Sequence, residues 1–199
     1  VYGNIALMYS YLLLPQRAME YDRKAIAVAE KSGNILSIAR RKLNYTARLI
    51  DQKNFNEAGR ILNDVEPLVR KADNNSTYIF FYQSKGLVDQ SKKQYASAID
   101  YLMKAYGYTV KNDDKLNQVN ILEPLTATLL AAGNNKEAKK YLDELLALSL
   151  TYKIRTGELN AYKSLAQWHQ QQQDYKMANS FYLKSIRLSD SLSSEDMKE

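Results

Sequence analysis

Apolar residues recur along the chain with a helical period, in stretches of about 16 residues separated by short polar breaks. One set of breaks falls at Leu14-Pro15, Asp51-Gln52-Lys53-Asn54, Ser91-Lys92-Lys93-Gln94, Gly133-Asn134-Asn135 and Gln171-Gln172-Gln173-Asp174. A second set falls at Lys31-Ser32-Gly33-Asn34, Lys71 to Asn75 and Lys111 to Asp114, where a basic last turn precedes Gly, Asn or Asp, a common way to end a helix. Ala18, Ala58, Ala98, Ala138 and Ala178 follow one another at one fixed interval in similar local contexts, which is the signature of a repeat protein. The pattern predicts an all-α chain of about five helix–turn–helix repeats, approximately 1–34, 35–74, 75–114, 115–154 and 155–199, forming a single array over 1–199. Pro15 suits a first helical turn, and Asn54, Asn134 and Asp174 suit N-caps. Pro67 and Pro124 fall inside predicted helices, where each removes an amide donor and is expected to cause a bend or an early stop.

Small residues occupy columns where helices must approach closely: Ala6, Gly86 and Ala166 on first helices are expected to face Ala18, Ala98 and Ala178 on second helices. With a large residue and then a tyrosine in the first helix and Ala, an aromatic and Ala in the second, the units resemble tetratricopeptide repeats. Tyr2, Ile5-Ala6, Tyr9, Ala18 and Ala25 carry the pattern in the first unit, Tyr82, Gly86, Ala98, Leu102 and Ala105 in the third, and Tyr162, Leu165-Ala166, Tyr175, Ala178 and Tyr182 in the fifth. The fourth follows it through Leu122, Leu125, Leu129, Ala138, Leu142 and Leu145, and the second more weakly through Tyr45, Leu49, Phe55, Ala58, Leu62 and Val65. The period is longer than that of the standard tetratricopeptide repeat and approaches that of HEAT units, the structural alternative, against which the aromatics Phe55, Tyr95 and Tyr175 ahead of the alanine column argue. The resemblance implies a right-handed α-α superhelix, a solenoid whose concave face is lined by first helices and binds a peptide or a partner's helix. That face would include Leu43, Asn44, Ala47, Phe80, Gln83, Leu87, Gln90, Asn120, Glu123, Asn160, Lys163 and Gln167. The lysine and asparagine clamp by which some family members hold a chain-terminal carboxylate is absent, its places being taken by Leu43, Gln83 and Ala47.

Composition changes this picture little. Hydrophobic and charged fractions of 45% and 25% are globular averages, and the low counts of Gly (7) and Pro (3) suit a helical chain. The net charge of +6 is concentrated, with eight basic against five acidic residues in 35–74, so it is a local feature centred on Arg40 to Arg48 and not the long basic stripe of a nucleic-acid binder. The absence of cysteine excludes disulfides, thiolate metal sites and a cysteine nucleophile, and fits the cytosol and the bacterial periplasm equally. No apolar run approaches membrane-spanning length; the longest, Ile5 to Leu14, is broken by tyrosines and Ser10. The chain opens at Val1 in what reads as mid-helix, without Met, and is expected to be a piece of a longer protein.

Four charges stand in columns that usually hold small or aromatic residues: Asp22, Arg41, Arg48 and Asp89. Arg41 and Arg48 are seven apart and share a helix face, which should stack on the preceding second helix carrying Asp22; an inter-repeat salt bridge is expected, with an anion-binding spot as the alternative. His169, the only histidine, occupies a packing column, and no second histidine or cysteine exists to complete a catalytic or metal site with it. Most of the sixteen tyrosines fall in packing columns, which favours core over base or sugar stacking. There is no Gly-rich phosphate loop, no His-Glu-x-x-His and no serine nucleophile context, so neither an enzyme nor a cofactor is expected, and the catalytic and metal residue sets are empty.

The expected role is that of a protein- or peptide-binding scaffold. Ser185 to Leu192, followed by the charged Ser193 to Glu199, resembles the end of the sensory repeat arrays of Bacteroidetes-type sensor kinases or transcriptional regulators, which implies the sensory or regulatory region of a larger signalling protein and, with it, a periplasmic location. A stand-alone adaptor, then cytoplasmic, is the alternative, followed by nucleic-acid binding through the basic second repeat. Self-association through exposed repeat ends is a further expectation.

Overall fold

The computed structural model describes residues 1–196, which form ten α-helices and no strand: α1 (Tyr2–Tyr11), α2 (Pro15–Ser32), α3 (Ile35–Asp51), α4 (Phe55–Ala72), α5 (Asn75–Ser91), α6 (Tyr95–Lys111), α7 (Lys115–Ala131), α8 (Asn135–Thr151), α9 (Arg155–Gln171) and α10 (Tyr175–Asp196). Of the charged stretch Ser193 to Glu199, residues 197–199 lie outside the described residues.

From Pro15 onward the helices begin at a constant interval, and the joints explain why. Leu13, Gly33, Lys53, Asp73, Lys93, Asp113, Gly133, Lys153 and Gln173, equally spaced along the chain, all have positive φ between 43° and 77°. A single left-handed residue turns the chain back at a helix end and lets the last carbonyls find donors. At the joint of α3 and α4, the Lys53 and Asn54 amides donate to the Ile50 and Leu49 carbonyls, both at 2.8 Å. Asn54 then serves the next helix, its side chain accepting from the Glu57 amide at 3.4 Å. Asn34, Asn74, Asp114 and Asp174 cap their helices in the same way, through the amides of Ser37, Thr77, Asn117 and Met177. Asn134 occupies the N-cap position of α8 without a side-chain cap hydrogen bond. Of these left-handed residues only Gly33 and Gly133 are glycine. Exposed Lys93, at φ 59°, bears the steric penalty of an L side chain there, so Lys93→Gly is expected to raise the unfolding free energy by about 0.5–1 kcal/mol, read as a shifted urea midpoint at unchanged slope.

The helices pack into two compact units, Val1–Tyr108 and Thr109–Glu199, with the boundary inside α6. In the first, Leu43, Tyr45 and Leu49 of α3 meet Leu62, Val65 and Val69 of α4 together with Met19, Phe81 and Val88. Ala6, Ala18, Ala58 and Ala98 have no exposed surface. Gly86 shows what the small columns are for: a Cβ built there would lie 2.6 Å from Leu102 Cγ and 3.2 Å from the Ala98 carbonyl oxygen. In the second unit Leu122, Leu125, Leu129, Leu142, Leu145 and Leu165 are buried beside Ala138, Ala161 and Ala166. Gly157 lets α9 close on both neighbours, since a Cβ there would meet Val119 Cγ1 at 2.4 Å and Ser149 Oγ at 2.5 Å.

Two expectations are narrowed by the structure. Neither Pro67 nor Pro124 stops its helix: α4 and α7 run through them, at 18 and 17 residues. The tyrosines are not uniformly core. Tyr45 (3% exposed) and Tyr141 (6%) are buried, whereas Tyr175 (67%) and Tyr182 (39%) project outward, and Tyr78, Tyr82, Tyr101 and Tyr108 form a half-buried stack with the Tyr78 and Tyr108 ring centroids 5.0 Å apart.

Candidate functional site

α3 packs against α5 as well as against its own partner α4, so that the first helices of consecutive repeats share a surface. In the first unit this surface is grooved. A hollow of about 210 Å³ lies along α3 and α5, with Leu43 as its floor (3% exposed) and Asn44, Ala47, Phe80, Gln83 and Leu87 around it. It continues toward the helix starts into a larger hollow of about 510 Å³ that adds Leu36, Ser37, Arg40, Arg41, Ser76 and Thr77. On the side of α1 it meets a third of about 290 Å³, where Asn4 and Leu7 share the lining with Arg41, Asn44, Ala47, Arg48 and Asp51, a carboxylate that also lines the first hollow. Six of the sequence-derived face residues, Leu43, Asn44, Ala47, Phe80, Gln83 and Leu87, therefore line one continuous face, and Gln90, half-buried on α5, does not line these hollows. In the second unit, α7 carries exposed Asn120 and Glu123, and α9 carries half-buried Asn160 and exposed Lys163 and Gln167; α7 and α9 pack on each other.

Phe80 is 47% exposed, an aromatic ring at the rim of an amide-rich groove. Asn44 and Gln83 each offer a donor and an acceptor to a peptide backbone, while Leu87 and Phe80 offer apolar contact. The surface can grip main chain and side chain together.

The charges of the second repeat divide into committed and uncommitted. Asp22, only 2% exposed on α2, is ion-paired with Arg48 Nε of α3, while Arg48 Nη1 donates to Ser10 Oγ of α1 at 2.6 Å. Burial raises the Asp22 carboxyl above its usual range, and Arg48, then Arg41, draw it back. Lys42 pairs with Glu30 at 2.9 Å. Arg23 of the preceding repeat donates to the Tyr45 hydroxyl at 2.8 Å. Asp89 accepts from Ser97 Oγ at 2.6 Å, a contact inside its own repeat. Arg40 and Arg41 have no ion pair among the described residues, and Arg41 lies across Gly3, whose missing Cβ would stand 1.9 Å from Arg41 Nη1. Sequence reasoning placed the cluster but could not separate these two arginines from Arg48, because the partition depends on which partner each side chain reaches.

His169 stacks on Phe181 with centroids 5.5 Å apart, and its Nδ1 lies 3.1 Å from Asp174 Oδ2. Beside it Trp168 Nε1 donates to the Asn135 carbonyl at 2.9 Å, joining α9 to the start of α8. Among the described residues no three His, Cys, Asp or Glu side chains gather as metal ligands would, and no helix is long and apolar enough to cross a membrane.

Antiparallel helix pairs stacked first helix on first helix, with small residues at the crossings, define a tetratricopeptide-like fold, and comparison with solved structures agrees. The chain is similar to a signal-transduction ATPase with numerous domains from Pyrococcus horikoshii that carries a tetratricopeptide repeat sensor, at a TM-score of 0.83 and 18% identity, covering 98% of this chain and 30% of that protein. It is similar to kinesin light chain TPR-like repeats of Podospora anserina, at 0.74 and 15%, covering 97% and 95% of the two chains. It also resembles a Rap protein solved in complex with Competence and Sporulation Factor, at 0.71 and 15%, covering 97% of this chain and 64% of that one. No family model matches the sequence, and no curated protein matches it.

Proposed function

We propose that the chain is a non-catalytic scaffold that binds a peptide or a protein segment in the groove of α1, α3 and α5, and that it serves as the sensory or regulatory repeat region of a larger signalling protein. The observation that carries the binding role is the continuous face around Phe80, where an exposed ring and buried Leu43 lie between the amides of Asn44 and Gln83. An apolar patch of this kind, rimmed by polar groups, is the form a recognition surface takes. The regulatory role draws support from the kinds of protein that share the fold, a sensor region of a signalling ATPase and a Rap protein bound to a signalling factor. The chain spans about a third of the first and about two thirds of the second, so the output of a whole protein built on it would lie with other segments.

Panning the chain against displayed random peptides, and measuring the selected peptides by fluorescence anisotropy, tests the groove. Phe80→Asp is expected to weaken them about tenfold or more with unchanged helical circular dichroism, because it removes the exposed ring that makes the apolar contact and leaves a hydrated carboxylate in its place. Equal affinity for the parent and Phe80→Asp would place the binding surface elsewhere.

A further inference from the structure

The larger hollow between the first halves of α3 and α5 has a lining of one sign. It contains Arg40 and Arg41 and no carboxylate. The acids nearby are spoken for or distant. Asp22 faces both Arg48 and Arg41, two cations to one anion, and Arg48 takes the ion pair, which leaves Arg41 as surplus positive charge. Glu30 is held by Lys42. Asp51, ten residues beyond Arg41 on the same helix and about 15 Å along its axis at 1.5 Å per residue, lines the two adjoining hollows and not this one. The Arg41 guanidinium packs over Gly3 of α1, and the Arg41 side chain also lines this hollow. Around the two arginines, Ser37, Asn44, Ser76 and Thr77 add polar groups, and Leu36 and Phe80 form an apolar wall.

We propose that this hollow is an anion subsite that takes the carboxylate of an acidic residue within an extended peptide, with Arg40 and Arg41 as its ligands and Phe80 receiving the neighbouring apolar side chain. The inference rests on the groove being the peptide site. A guanidinium presents parallel N–H donors that match a carboxylate, and a half-enclosed hollow strengthens such bonds by excluding water. A peptide is favoured over nucleic acid because only these two arginines are uncommitted here, whereas a polyphosphate chain needs a series of cations along its path. The places that the resemblance assigns to a clamp for a chain end hold Leu43, Gln83 and Ala47, and the free and amidated C-termini below separate a chain-end carboxylate from a side-chain one.

The test is a set of labelled peptides of one Leu-Phe-containing sequence, bearing a central Glu, a central Gln, or the Gln form with a free or an amidated C-terminus. These are titrated into the full chain, its Arg40→Gln variant and its Arg40→Gln/Arg41→Gln variant, with a single-stranded oligonucleotide as competitor. The Glu peptide is expected to bind about tenfold or more tightly than its Gln counterpart, with an advantage reduced in Arg40→Gln and lost in the double variant. Arg40 is exposed, so the single variant reports on binding even if the double variant melts early. Equal binding of Glu and Gln peptides, a Glu advantage that survives the double variant, a preference carried by the free C-terminus alone, or binding of the oligonucleotide in preference to every peptide would each overturn the proposal. Sensitivity of all peptides to Phe80→Asp without any preference for Glu would remove the anion subsite and keep the groove, whereas insensitivity of all of them to Phe80→Asp, or no peptide binding, removes both.

Discussion

Replacing Arg48 with alanine is expected to lower the unfolding free energy of the first unit by about 3–5 kcal/mol, the largest effect of any single substitution considered for this chain. The reason is what the change leaves behind. Asp22 is 2% exposed and has Arg48 as its ion-pair partner, with Arg41 contributing at longer range. Without Arg48 a carboxylate stays buried with no direct counter-charge, and Ser10 loses the guanidinium that donates to its hydroxyl. The same reasoning predicts a compensated variant: Asp22→Leu/Arg48→Met removes both charges and fills similar volume, and should fall within about 1 kcal/mol of the parent. The pH dependence has a definite sign. Burial already holds the Asp22 carboxyl above its usual range, and losing Arg48 raises it further. An acid whose native pKa is raised favours the native state in its protonated form, so the penalty in Arg48→Ala is fully expressed only above that raised value. It shrinks as pH falls through that raised value toward the ordinary aspartate range. Urea titrations at neutral and mildly acidic pH measure this, and an equal loss at both would contradict it.

Gly86→Val is expected to cost about 3 kcal/mol, by a mechanism unrelated to charge. The first branch atom would already stand 2.6 Å from Leu102 Cγ and 2.9 Å from its Cδ2, and Leu102 has no exposed surface into which to move. The Ala98 carbonyl, at 3.2 Å, belongs to the backbone of α6 and cannot yield without moving the helix. Overpacking of this kind exceeds the gain of up to about 1 kcal/mol that any side chain brings over glycine in a helix. Gly86→Ala should therefore still destabilise, by about 1–2 kcal/mol, and a Gly86→Ala/Leu102→Ala cycle should show a favourable coupling of about 1 kcal/mol or more as the new methyl enters the space vacated by Leu102. An additive cycle would mean that the two positions do not meet.

Much of this was legible in the residues before any coordinates. The alanine column and the polar breaks marked the helices, because periodic burial and cap chemistry are local and leave their trace in the order of residue types. Gly86 could be read as a helix crossing because it shares a column with Ala6 and Ala166. Gly157 could not, because its two close neighbours, Val119 and Ser149, come from two different helices, α7 and α8, and no column predicts them. Asp22 and Arg48 were conspicuous as charges at apolar positions. What set Arg40 and Arg41 apart from Arg48 was only the distribution of partners, a property of three helices at once. The prolines do not end their helices, because the i to i−4 bonds on either side carry α4 and α7 across the one missing amide.

A left-handed joint stands before every helix from α2 to α10, whereas the faces of the helices alternate and repeat only at every second joint. Gain or loss of a single joint-to-joint segment would leave every turn and cap in place, yet it would move a helix such as α3, with Asn44 at the groove, into the backing position of a helix such as α4, with Ala58 at the crossing. The local backbone would accept that change and the packing would reject it. Descendants of this chain are therefore expected to lengthen or shorten by two joints at a time, and a duplication by one joint should give a protein whose every turn is sound and whose core does not close.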